Sequence, residues 1–392
     1  MAYLKNSAVN LLNLHYGLHA LALNGAGAFF AVFLLKSGVS VPRVFAAIAF
    51  VLAGRFLIRP LVLVLAPRVG LRALVAFGII FSGVQYLFLA EVHGIDLMLL
   101  GFCLSAAIGD TFYWPTYHAY FAVLGDYEHR GHQISAREAL ASVAGIIGPL
   151  LGGWTLTVLG PRVAFGAAAV VHVLAALPFL GTPDVRVARY VPGAFRAAMS
   201  GIMLFAADGW IAVGYYFVWQ IALFLSLGES FTAFGGALAL AALVGAIGGL
   251  ILGKHIDAGH GGRAVWLAFA SLAAVTALRA ASTGMVALAV TANALGALVM
   301  CLYIPTLMTA VYNQAKCSPC SLRFHVATEG GWDIGGASGC LAAALLSEAG
   351  APLPVEILIS LAGTVVSLIV LRRYYKTLAL PDLPLTQPAG GA

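Results

Sequence analysis

The chain has 392 residues, 61% of them hydrophobic and only 9% charged, with a formal net charge of +6. A mean hydropathy of +0.97 excludes an ordinary soluble domain, and in hydrocarbon every peptide group must be paired within its own segment, which leaves helices or a closed barrel. Barrel strands alternate polar and apolar residues, whereas these apolar runs are unbroken and long enough to cross as helices.

Twelve runs fall between turn signals, at about 7–35, 42–65, 72–90, 96–123, 134–158, 162–181, 197–226, 232–252, 264–282, 285–314, 326–347 and 353–375. Segment 1 is too long for a cleavable signal and carries His15, His19 and Asn24, so it is expected to remain as a helix. Its two histidines are four apart and share one helical face.

Segment 2 holds Arg55 and Arg59, and segment 4 holds Asp110 at a depth similar to that of Arg55. Burying an ionisable side chain at mid-bilayer costs about 2.5–3.5 kcal/mol even on the lenient insertion scale, so each is a functional candidate. Two readings of Asp110 stand side by side: an ion pair with Arg55, or a proton- or substrate-linked role. Segment 4 continues with Tyr113, Trp114, Tyr117 and His118, and Pro115 is expected to bend it.

Segment 5 opens with Arg137 and Glu138 and runs on through Gly145, Gly148, Pro149, Gly152 and Gly153, small residues that allow close backbone approach. Residues 182–196 read as a cytoplasmic linker between domains at 1–181 and 197–376, and 377–392 as a disordered tail. Segment 7 carries Asp208, Trp210, Tyr215, Tyr216, Trp219 and Gln220, and segment 10 carries Tyr303, Pro305, Thr306, Tyr312 and Asn313. An aromatic cavity of this kind suits an amphipathic or weakly cationic molecule. A strongly anionic substrate fits less well, because Arg55 and Arg59 are the only bases placed inside the membrane. In segment 11, His325, Glu329 and Asp333 are again four apart, on a face assigned to a cytoplasmic gate.

The chain repeats itself. Tyr113-Trp114-Pro115-Thr116 returns as Tyr303-Ile304-Pro305-Thr306, and Glu138, Gly145 and Gly148 return 191 positions later as Glu329, Gly336 and Gly339. Gly70 and Arg72 map likewise onto Gly261 and Arg263. The same shift sets Asp208 opposite Gly17, which predicts that Asp208, His15 and His19 face one cavity and exchange protons there.

With the N-terminus inside, fifteen of the 21 basic residues fall on cytoplasmic faces and four, including Arg279, on exterior ones, so both termini are expected in the cytoplasm. The positive charge is then topological, and no nucleic-acid partner is implied. No phosphate loop of the Walker type occurs, so pumping would draw on an ion gradient.

After segment 2 the chain reads Ala66-Pro67-Arg68-Val69-Gly70-Leu71-Arg72, and the second half offers Gly253, Asp257, Gly261 and Arg263 in the corresponding loop. These resemble the loop signature of the major facilitator superfamily, and Gly148-Pro149-Leu150-Leu151-Gly152-Gly153 is similar to the core of that family's antiporter signature. The resemblance implies an all-α membrane protein of twelve transmembrane helices in two pseudo-symmetric six-helix bundles. It also implies a central cavity open alternately to either side, with Arg68, Gly70, Arg72, Asp257 and Arg263 in a cytoplasmic latch.

The function expected is secondary transport of a small organic solute, coupled to protons, as an exporter or antiporter, by a monomer in the bacterial inner membrane that needs no cofactor. One alternative is a copper or zinc carrier using His15, His19, His118, Asp208 and Met308. Another is an intramembrane serine hydrolase built on Gly336-Ala337-Ser338-Gly339. Cys317-Ser318-Pro319-Cys320 offers a metal or redox pair, or simply a polar turn kept reduced.

Overall fold

The computed structural model describes residues 6–125, 130–256 and 261–378, with residues 130, 131, 252–256, 261–264, 377 and 378 as backbone only. Among these residues there are helices and turns but no strand. The helices are α1 (Ser7–Lys36), α2 (Val41–Ile58, continued by Pro60–Val69), α3 (Leu71–Leu89), α4 (Leu97–Leu124), α5 (Arg130–Val158) and α6 (Pro161–Gly181). They continue as α7 (Met199–Ser226), α8 (Phe231–Ile256), α9 (Gly261–Ser282), α10 (Val286–Cys317), α11 (Ser321–Glu348) and α12 (Leu353–Lys376). Among the described residues eleven spans are long and apolar enough to cross a membrane. The remaining long helix, α11, has 28 residues but carries Arg323, Glu329 and Asp333.

Local chemistry sets the helix ends. The Asn6 side chain accepts from the amide of Val9 at 3.1 Å, and Asp96 accepts from Leu99 at 2.8 Å, each capping a helix start. Pro60, lacking an N–H, interrupts the helix after Arg59, where the sequence pattern gave one continuous segment to about residue 65. Pro115 and Pro305 lie inside helices that carry on through them. Within α7, residues Val213–Val218 adopt a π-helical turn that hydropathy does not reveal.

The same packing pattern occurs in both halves of the chain. α1 lies against α5 and α6, and α3 against α4 and α6; likewise α7 lies against α11 and α12, and α9 against α10 and α12. Two long contacts join the halves, α2 with α11 and α5 with α8. Asn6 at the start of α1 donates to the Leu124 carbonyl at the end of α4, which defines a terminal side. At the distal side the ends of α1 and α7 meet, where Lys36 pairs with Glu229 at 3.1 Å.

Glycine makes the tightest contacts possible. A Cβ on Gly152 would strike the carbonyl oxygen of Gly25 in α1, and one on Gly153 the carbonyl of Phe231 in α8. In the second half Gly331 and Gly335 of α11 meet the carbonyls of Ile202 and Ala206 in α7 in the same way. Outward-facing Leu57, Leu250 and Leu345 are largely exposed, an apolar exterior that a bilayer covers.

Candidate transport site

Arg55 and Arg59 lie one turn apart on α2, both buried, facing the equally spaced pair Glu329 and Asp333 on α11. Arg59 Nε donates to Asp333 Oδ2 at 2.8 Å, and its Nη2 reaches the same oxygen. Arg55 Nε stands 2.9 Å from Asp333 Oδ1, close enough for an ion pair although not aligned as a hydrogen bond. Arg55 Nη1 donates to Asp110 Oδ2 of α4 at 3.3 Å, and Nη2 is 3.6 Å from Glu329 Oε2. Three carboxylates therefore surround two guanidiniums, and the cluster joins the first half of the chain to the second. Asp333 is fully buried, so its desolvation is offset only by these partners.

Asp208 stands beside this cluster. Tyr303 donates to its Oδ1 at 2.5 Å and the Trp332 indole to its Oδ2 at 3.1 Å. Among the described residues no cation lies within ion-pair distance of it, and the Arg55 guanidinium instead sits 5.4 Å from the Trp332 ring centre. Asp208 thus has two neutral donors and no counter-ion, half-buried at the middle of α7.

His15 and His19 share a face, with stacked rings 6.2 Å apart, but the face is turned into the first half of the chain. His15 Nδ1 donates to the Ala175 carbonyl at 2.7 Å, so in a neutral ring Nε2 accepts from the Tyr113 hydroxyl at 3.0 Å. His19 Nδ1 lies 3.3 Å from His172 Nε2. Both rings are packed on Tyr113, and Tyr117 closes over His15. No hydrogen bond, ion pair or ring contact among the described residues joins either histidine to Asp208. The structure therefore separates the three groups that the repeat arithmetic places around one cavity.

Of the remaining expected site residues, His118 contacts Trp114 and His325 through its ring. Trp210 turns to α12, donating to the Ile359 carbonyl at 2.8 Å, and Thr306 bonds Leu302 of its own helix. In the expected gate, Glu138 accepts from Arg137 Nε at 3.0 Å, and Arg137 lies over the Tyr16 and Phe121 rings. Glu329 and Asp333 find their partners in Arg55 and Arg59.

The loop signature contacts the linker. Arg72 donates to the Thr182 carbonyl at 2.9 Å and Leu71 N to Val185 O at 2.8 Å, while Gly70, at φ +84°, leaves room for the Asp184 carboxylate. Arg68 bonds only the Val64 carbonyl among the described contacts. Asp257 and the Arg263 side chain lie outside the described residues.

Two cavities with a buried arginine in the wall lie in the distal half. The first, 240 Å³, is mainly apolar with Arg55, Asp110, Gln85 and Tyr86 in its wall. The second, 210 Å³, lies between α1, α5, α7, α8 and α10 and contains Arg279. Ala47, Val51, Phe102 and Ala106 of the first become Leu238, Ala242, Asn293 and Ala297 of the second on adding 191. Arg279, expected on the exterior side at the end of segment 9, is only 4% exposed within the protein, so Arg55 and Arg59 are not the only buried bases. Its signal in the sequence is only a position three residues before the end of α9.

Ser338 donates to the Ile334 carbonyl of its own helix at 2.7 Å and is exposed, an arrangement with no base set against the hydroxyl. Among the described residues no group of three or more His, Cys, Asp or Glu has metal-binding geometry, and Cys317 and Cys320 are free thiols.

Two similarly packed helical halves bridged by a charged cluster are an architecture used by membrane carriers. The profile of the Major Facilitator Superfamily matches residues 12–319, and the chain belongs to that family. It is a membrane transporter, not an enzyme. Among solved structures it is similar to the POT family transporter PepTSo, with a TM-score of 0.69 at 11% identity over 96% of this chain and 99% of that one. It is also similar to an auto-inhibited POT family peptide transporter, with a TM-score of 0.65 at 13% identity over 97% of this chain and 99% of that one. No curated protein matches the sequence at a significant level.

Proposed function

We propose that the protein is a proton-coupled secondary transporter that carries a small organic solute by alternating access. In this reading twelve membrane-spanning helices form two six-helix bundles, residues 1–181 and 197–376, joined by the linker 182–196. Both termini are cytoplasmic, in a bacterial inner membrane. The observation that carries the reading is the excess of acid at the seam. Among the described residues Asp110, Glu329 and Asp333 share Arg55 and Arg59 while Asp208 has no cation, so full ionisation would leave surplus negative charge in a low-dielectric interior.

A proton relieves that surplus, and Asp208 is where it is held, being the carboxylate without a cation. Protonation weakens its pull on the Tyr303 hydroxyl and the Trp332 indole, and Trp332 also lies against Arg55. Loading a proton is thereby linked to the α2–α11 seam, whose parting would open the terminal half of the cavity. The glycine-lined α5 supports an exporter or antiporter. The likeness to peptide transporters is one of fold, and an amphipathic solute agrees with a cavity of aromatic and aliphatic walls.

Reconstituted in proteoliposomes, the protein should accumulate its solute against a gradient only when a pH difference is imposed. Asp208→Asn should abolish that accumulation while leaving solute counterflow intact. Unchanged accumulation in this variant, or pH-independent accumulation by the wild type, would remove the assignment.

A further inference from the structure

We propose that Arg279 is the anchor of an anion subsite, holding the carboxylate of an amphipathic substrate whose apolar body lies in the second cavity. The inference rests on the transporter reading above and names the substrate class for it.

Arg55 and Arg59 are paired with carboxylates; Arg279 is not. Among the described residues no acid lies within ion-pair distance of its guanidinium. Nη1 donates to the Tyr215 carbonyl at 2.7 Å, and the group lies 4.0 Å from the Tyr215 ring centre and 4.9 Å from that of Trp219. Among the described residues Nε has no hydrogen-bond partner, although Arg279 is 96% withdrawn from solvent. A charge so placed is expensive to desolvate and is ordinarily paired. Aromatic faces and one carbonyl hold it in place without neutralising it.

The surroundings are built for this residue. The guanidinium occupies the notch left by Gly296, where any Cβ would displace it, and Tyr215 donates from its hydroxyl to the Gly296 carbonyl at 2.8 Å. Asn293 braces the opposite wall, accepting from the Trp219 indole at 3.0 Å and donating to the Ala237 carbonyl at 3.0 Å. Gln220 borders the same cavity with its amide oxygen buried and unpartnered. A planar fork with free donors matches a carboxylate. The 210 Å³ beside it exceeds the roughly 150 Å³ known to accept benzene, so there is space for one ring and an acid group.

The probe is phenylacetate, compared with phenylacetamide, its neutral counterpart of nearly equal shape. The full chain, purified in detergent, is unfolded thermally in the presence of each. Phenylacetate should raise Tm in a saturable way, phenylacetamide should not, and Arg279→Gln should lose the response. Arg279→Lys, which keeps the charge but not the fork, should retain a reduced shift. Equal responses to acid and amide, including no response to either, overturn the proposal, as does an undiminished response in folded Arg279→Gln. Should that variant not fold, the comparison of acid with amide on the wild type decides alone. Binding in detergent needs no gradient, so failure here leaves proton-driven transport standing.

Discussion

Asp333 of α11 accepts from Arg59 of α2 and at the same time lies 2.9 Å from Arg55 Nε, so one fully buried carboxylate holds two cations of the other half of the chain. Removing one member of such a set leaves charge stranded in a low dielectric. Asp333→Asn should therefore destabilise the fold by about 3–5 kcal/mol. Combining it with Arg59→Met should restore much of the loss, and thermal unfolding of the two single variants and the double variant measures the coupling directly.

Tyr303 and Trp332 hold Asp208 through neutral donors alone. Tyr303→Phe removes the shorter of the two bonds and should change the pH dependence of gradient-driven uptake while leaving counterflow at neutral pH within a few-fold. Uptake measured across pH in proteoliposomes checks this.

His15 links the Ala175 carbonyl to the Tyr113 hydroxyl inside the first half. His15→Leu strands both groups, and a buried unsatisfied polar group costs about 1–3 kcal/mol. The variant should melt earlier than the wild type, yet its uptake should keep the wild-type pH profile. A displaced profile would restore His15 to the proton path.

Gly152 touches the carbonyl of Gly25, whereas Gly166 has no neighbour within 4 Å of a built Cβ. Gly152→Ala should cost about 1–3 kcal/mol through overpacking. Gly166→Ala should be neutral or stabilising by about 0.4–1 kcal/mol, since it restricts the unfolded chain without meeting an obstacle.

At the distal surface the hydrogen bond from Arg162, reinforced by its charge, holds the Glu91 carboxyl below the usual carboxylate range. A lowered folded-state value contributes stability above the ordinary carboxylate range and loses it as pH falls through the folded value. The pair is solvent-exposed, so Arg162→Gln should leave Tm nearly unchanged at neutral pH. The wild type and variant should become indistinguishable in acid.

Depth along a helix was legible in the sequence; direction around it was not. Counting residues put Arg55 and Asp110 at one level, and they pair at 3.3 Å. The same counting set Asp208 opposite Gly17. It could not say that the face bearing His15 and His19 turns toward α4 and α6, because a mostly apolar helix has little amphipathic pattern to fix its rotation. Arg279 escaped notice for a related reason: a base near a helix end reads as interfacial until Tyr215, Trp219 and Gly296 are seen to enclose it. The spacing of Glu329 and Asp333 does mark a shared face, although the sequence pairs Arg55 with Asp110 and gives Arg59 no partner.

Duplication has preserved backbone while dividing the chemistry unequally. Adding 191 to Arg55 and Arg59 gives Ala246 and Leu250, so α8 meets α5 without a counterpart of the two arginines, although α5 keeps Glu138 where α11 has Glu329. There, Gly153 and Gly235 bring bare main chain against main chain. The two seams between the halves are thus different materials: one glycine-lined, main chain on main chain, the other ionic and responsive to pH and salt. In a rocking carrier the former would serve as the hinge and the latter as the clasp.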